Sequence, residues 1–257
     1  MRYVFFGGQD SLFATIILNE LTNAGMTPVA VIRDARKPLD PEYLKSLKAD
    51  FFLVAAFGKI LKKDILEIPP KGTVGIHPSL LPKYRGASPI QSVILAGEKE
   101  TGTAIFMIDE KVDHGAVLGT EKIAIDPEDT YWTLTEKLAY LSADLFKKVV
   151  PLWDAGEIAP QTQDESLVTM TKKFTTEDAA VDLKKDNPKN IWLKIKALNP
   201  EPGTYSILES PSGKTVRVKL LEANYADGEL KLKKVQPEGK KPMDYRSFLN
   251  GYKDFLR

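Results

Sequence analysis

Two histidines occur in the 257 residues, and one of them, His77, stands where a β-branched run meets a proline-stiffened loop in "TVGIHPSLLPKYRG" (73–86). A histidine at a strand end can act as an acid, a base or a stabiliser of developing negative charge. Asp113, in the loop after the following strand, can orient such a ring and favour its charged form. His114 adjoins Asp113 and raises the question of a metal, but two histidines and scattered aspartates lack ligand spacing, so no metal site is expected. The chain has no cysteine, which removes thiolate nucleophiles and disulfides. The Gly7–Gly8 pair can admit an anion to backbone amides or simply make a tight turn. Its spacing fits neither a dinucleotide fingerprint nor a phosphate-binding loop.

Those residues need a scaffold, and the hydrophobic pattern supplies one. "RYVFFGG" (2–8), "TPVAVIRD" (27–34), "DFFLVAAFG" (50–58), "GTVGIH" (72–77) and "GTAIFMID" (102–109) read as strands, with helices between them at 10–25, 41–48, 59–68 and 88–97. Asp10 or Ser11 caps the first helix, and Asp40 with Pro41 opens the second. "AVLGTEKIAI" (116–125) extends the sheet antiparallel, and 129–156 is one long amphipathic helix. Alternating strands and helices predict a Rossmann-like α/β domain with a mainly parallel sheet over 1–165. Ligands of such sheets sit beyond the carboxyl ends of the strands, where His77 and the 109–113 loop both fall. A polar linker is expected at 166–181. Beyond it, 182–257 reads as a small β-rich, OB-like module.

Hydrophobic content of 43% and charged content of 28% are those of a soluble globular chain. No apolar run approaches the roughly 20 residues of a membrane span, and the N-terminus reads as a strand, not a signal peptide. The net charge of +1 conceals an asymmetry: residues 171–257 hold 18 basic against 12 acidic side chains, while the first 170 are net acidic. A basic tail behind an acidic body suits a polyanionic partner.

"HPSLLPKYRGASPIQ" and "ETGTAIFMIDEKVDHGAVL" resemble the loop and the aspartate segment of the folate-dependent formyltransferases, and their order and spacing match. "DFFLVAAFGKILKKDILEIPPKG" resembles the segment upstream. The tail, in "TTEDAAVDLKKDNPKNIWLKIKALNPEPGTYSIL" and "VQPEGKKPMDYRSFLNG", is similar to that of the branch acting on tRNA. The resemblance implies transfer of a formyl group from 10-formyltetrahydrofolate to the α-amine of methionyl initiator tRNA, by a monomeric cytoplasmic enzyme without a metal. It implies catalysis by His77 and Asp113, and a folate site lined by Ser79, Leu80, Leu81 and Pro82. It also implies tRNA contacts from Arg33, Arg36, Lys37, Lys83 and Arg85, the last two facing either the folate tail or the acceptor end.

Three departures from the family pattern stand out. Gly75 occupies the position, two before the histidine, where the family carries an asparagine whose amide shares the oxyanion. Losing one such donor typically costs about 2.7–4 kcal/mol. The segment after the second strand, "DARKPLDPEYLKS", is shorter and less basic than the family's, and the C-terminal barrel is trimmed. Two other readings fit the same residues: a sugar-nucleotide N-formyltransferase, or a non-catalytic folate- or RNA-binding relative.

Overall fold

The structure is a computed structural model and describes residues 1–255. The last two residues of the expected C-terminal domain lie outside them. The chain divides into two compact units. The first comprises residues 1–90, 99–127 and 132–171; the second comprises 91–98, 128–131 and the chain from Lys172 onward.

The first unit is built on β1 (Tyr3–Gly7), α1 (Leu12–Asn23), β2 (Ala30–Ile32), α2 (Pro41–Ser46), β3 (Phe51–Ala55), α3 (Lys63–Leu66) and β4 (Thr73–His77). Next come β5 (Arg85–Gly86), α4 (Pro89–Ala96), most of which belongs to the second unit, β6 (Glu100–Met107), β7 (Val117–Ala124), α5 (Tyr131–Asp154) and β8 (Met170–Thr171). The main sheet has the order β2-β1-β3-β4-β6-β7. Its first four strands are parallel, and β6 and β7 are antiparallel to their neighbours. β1 is buried at every position and β3 at all but Val54, as strands covered on both faces must be. Phe6, Phe52 and Phe57 form an aromatic cluster on this sheet. Ser11 caps α1, its hydroxyl accepting from Ala14 N at 3.2 Å, and Asp40 caps α2 ahead of Pro41.

The Gly7–Gly8 turn is a packing device. A Cβ on Gly7 would lie 2.4 Å from the Phe5 ring, and one on Gly8 would lie 2.9 Å from the Ala56 carbonyl oxygen. The Gly8 N–H already donates to that carbonyl at 3.1 Å. These glycines let the end of β1 approach its neighbours closely.

The second unit holds α6 (Pro188–Leu198), β9 (Tyr205–Glu209), β10 (Thr215–Ala226), β11 (Glu229–Pro237), β12 (Met243–Asp244) and α7 (Tyr245–Gly251). Its four strands form an antiparallel sheet of order β12-β11-β10-β9, and Ala180 adds one parallel bridge beside Tyr205. Ile191 and Ile195 of α6 pack with Val218, Leu220, Val235 and Phe248 into its core. The small β-rich module expected from the turn spacing is therefore present, as an open sheet among the described residues.

Candidate active site

His77 ends β4, the fourth parallel strand, so the strand delivers its ring to the carboxyl edge of the sheet. The residue is 6% exposed. Its Nε2 lies 2.8 Å from the Tyr84 carbonyl oxygen. A carbonyl can only accept, so the proton is on Nε2. Nδ1 faces Oδ2 of Asp113 at 3.5 Å, within ion-pair range when the ring carries a second proton. The pair read from the sequence is thus brought together across 36 residues of chain.

Asp113 has φ of +47°, an uncommon conformation for a residue with a side chain. Its Oδ2 also accepts the backbone N–H of Gly86 at 2.8 Å. Gly86 has φ of +113°, and a Cβ there would lie 2.7 Å from the Thr171 carbonyl oxygen, so glycine is required.

The loop after His77 is anchored on β6. Ser79 is fully buried and its hydroxyl donates to the Lys83 carbonyl at 2.7 Å. Leu80 lies over Gly102, where a Cβ would come within 2.5 Å of its Cδ2. Leu81 packs with Ala104 and Phe106. Leu80 and Pro82 keep part of their surface exposed.

The five basic residues divide. Arg36, Lys37 and Lys83 are exposed, Arg36 in contact with Asp34. Arg33 donates to the Gln9 carbonyl and to the Thr15 hydroxyl. Arg85 is 4% exposed, and its guanidinium is held by Gln163 Oε1 at 2.8 and 3.1 Å and by Glu165 at 2.7 Å. Arg33 and Arg85 therefore brace the fold.

Gln163 and Glu165 escaped the sequence reading, as did Phe106. Gln163 is 7% exposed, and its Nε2 donates to the carbonyls of Asp113 and Gly115 at 2.8 Å each. Nothing in a single polar residue ahead of an expected linker signals such a role. The Arg85 guanidinium beside Glu165 holds that carboxyl below its ordinary value. His114 Nδ1 sits 2.6 Å from Asp109. Burial pushes the Asp109 carboxyl up, but hydrogen bonds from His114 and the Lys111 N–H outweigh it and hold it low. Among the described residues no group of three or more His, Asp or Glu is placed to hold a metal ion. No helix among them is long and apolar enough to cross a membrane.

The family described as "Formyl transferase" matches residues 31–150, a span that includes His77, Asp113 and the loop between β4 and β5. Among relatives, the methionyl-tRNA formyltransferase of Dictyoglomus thermophilum is 39% identical, over 82% of this chain and 74% of that one. That of Kosmotoga olearia is 41% identical, over 78% of this chain and 62% of that one. Among solved structures, the methionyl-tRNA formyltransferase of Clostridium thermocellum shares the fold with a TM-score of 0.71 at 17% identity, covering 92% of this chain and 99% of that one. The chain belongs to the methionyl-tRNA formyltransferase family.

Proposed function

We propose that the protein transfers a formyl group from 10-formyltetrahydrofolate to the α-amine of methionyl initiator tRNA. The observation that carries this reading is the His77–Asp113 pair beside the Ser79–Pro82 loop, in a chain of this family. The residues suit the donor. A flat heteroaromatic ring system calls for apolar surface, and Leu80 and Pro82 supply it partly exposed, close in sequence to His77. When bound, the folate supplies a formyl carbon activated for attack by an amine.

The chain needs no covalent nucleophile for that attack. A free α-amine has a pKa of about 7.7–8.0, so a useful fraction is neutral near pH 7. His77 meets the charge that grows on the formyl oxygen. Its Nε2–H rests on a neutral carbonyl, and a charged acceptor outcompetes that carbonyl because charge-assisted hydrogen bonds are roughly twice as strong. Asp113, fixed by the Gly86 amide, holds the ring from its Nδ1 side and takes part in moving the amine proton towards the departing nitrogen. Arg36, Lys37 and Lys83, with the basic second unit, contact the tRNA backbone.

Incubation with 10-formyltetrahydrofolate and either methionyl initiator tRNA or a panel of nucleotide-linked amino sugars tests this. Formylation of the tRNA alone is expected. Transfer to an amino sugar with none to tRNA would overturn it, as would tight binding of both substrates with no transfer.

A further inference from the structure

Gly75 lies opposite Phe106 in the β4–β6 ladder. A Cβ on Gly75 would fall 2.5 Å from Cε1 and 2.7 Å from Cζ of the Phe106 ring, and 3.0 Å from Cγ1 of Ile108. The ring therefore fills the space that any side chain at position 75 would need. Phe106 is 3% exposed, and its centroid stands 6.5 Å from that of His77 with the planes at 86°, an edge-to-face pair. It also packs against Leu81 and Ala104, so one ring touches the histidine strand and the loop that follows it.

We propose that Phe106 is a positioning residue for His77, and that Gly75 is its steric complement. Interiors are packed too densely for the ring and a side chain at 75 to coexist without displacement. The two positions thus act as one unit: the glycine seats the ring, and the ring sets the imidazole's tilt towards Asp113 and Tyr84. The Phe106 ring stands beside the imidazole, and the oxyanion relies on that imidazole without an amide from position 75. The inference rests on the formyl-transfer reading only for its kinetic arm.

A double-substitution cycle with Gly75→Ala, Phe106→Leu and both together tests it, with thermal unfolding recorded for each. Each single change is expected to lower kcat at least about tenfold while moving KM for either substrate less than about threefold, since small misplacements of a reacting group act on rate. Each should shift the His77 imidazole resonances in NMR of the substrate-free protein. The double variant should be less impaired than the product of the singles, because Leu leaves room for the new methyl. Wild-type kcat and an unshifted His77 resonance in Gly75→Ala would overturn the proposal, as would effects that simply multiply. If Phe106→Leu fails to fold, Gly75→Ala still decides. A wild type that formylates nothing would sink the functional reading instead, and the His77 resonances would still report on the pair.

Discussion

Nε2 of Gln163 donates to the Asp113 carbonyl at 2.8 Å while the same amide's oxygen accepts from Arg85 at 2.8 Å, so one side chain ties the aspartate loop to a buried guanidinium. Gln163→Leu removes both links and leaves buried polar groups unpaired. Such groups cost about 1–3 kcal/mol each, so chemical denaturation should show a stability loss of at least that size. The formyl-transfer rate should fall as Asp113 loosens. A variant with wild-type stability and rate would show that the loop is held by other contacts.

The Glu165–Arg85 contact carries a pH dependence with a definite sign. Glu165 has a folded pKa below its ordinary value of 4.5, chiefly through its hydrogen bond with Arg85. A depressed carboxylate contributes stability that is present above its unfolded pKa and is lost as pH falls through the folded one. The stability gap between wild type and Glu165→Gln should therefore be constant above about pH 5 and close at lower pH. Urea unfolding across that range measures it; a gap that widens on acidification contradicts the assignment.

Gly86 presents its N–H to Asp113 from a backbone that other residues adopt only under strain. Gly86→Ala should cost on the order of 1–3 kcal/mol from the conformation, with the Thr171 clash added. Differential scanning calorimetry should show the lowered transition, and transfer should weaken with it. An unchanged transition would mean that the loop tolerates a side chain.

Lys219 and Lys233 are exposed on β10 and β11 of the basic second unit. If such lysines contact tRNA phosphates, affinity falls linearly on a log–log salt plot, with a slope of roughly −0.7 to −0.9 per phosphate neutralised. Charge reversal at Lys219 or Lys233 should weaken binding and flatten that slope. A salt-independent affinity would remove the second unit from tRNA recognition.

The sheet was legible because β1 and β3 are continuous apolar runs, and α5 because its periodicity persists over 24 residues. β2 is shorter than its apolar stretch implied: Ala30–Ile32 alone pair with β1, at the sheet edge. The expectation that His77 and the 109–113 loop follow strands ending on the same side does not hold: β6 runs antiparallel to β4, with Met107 opposite Val74, and it is the segment after β6 that brings Asp113 back to the His77 ring. Arg85 looked like a surface cation because a sequence does not show Gln163 and Glu165, about eighty residues on, closing over it. Within the stretch expected as linker, Thr169 and Thr171 bond to Tyr84 and Arg85. The Phe106–Gly75 contact depends on cross-strand register, which alternation alone does not set.

The claim that His77 and Asp113 carry the chemistry is tested most directly by single-turnover formylation of methionyl initiator tRNA by wild type, His77→Asn, Asp113→Asn and the double variant, each confirmed folded. The account predicts transfer by wild type, a loss of about 10²–10³ in each single variant, and a double variant little worse than the worse single, because the two residues act as a unit. A His77→Asn protein that formylates at the wild-type rate would contradict it.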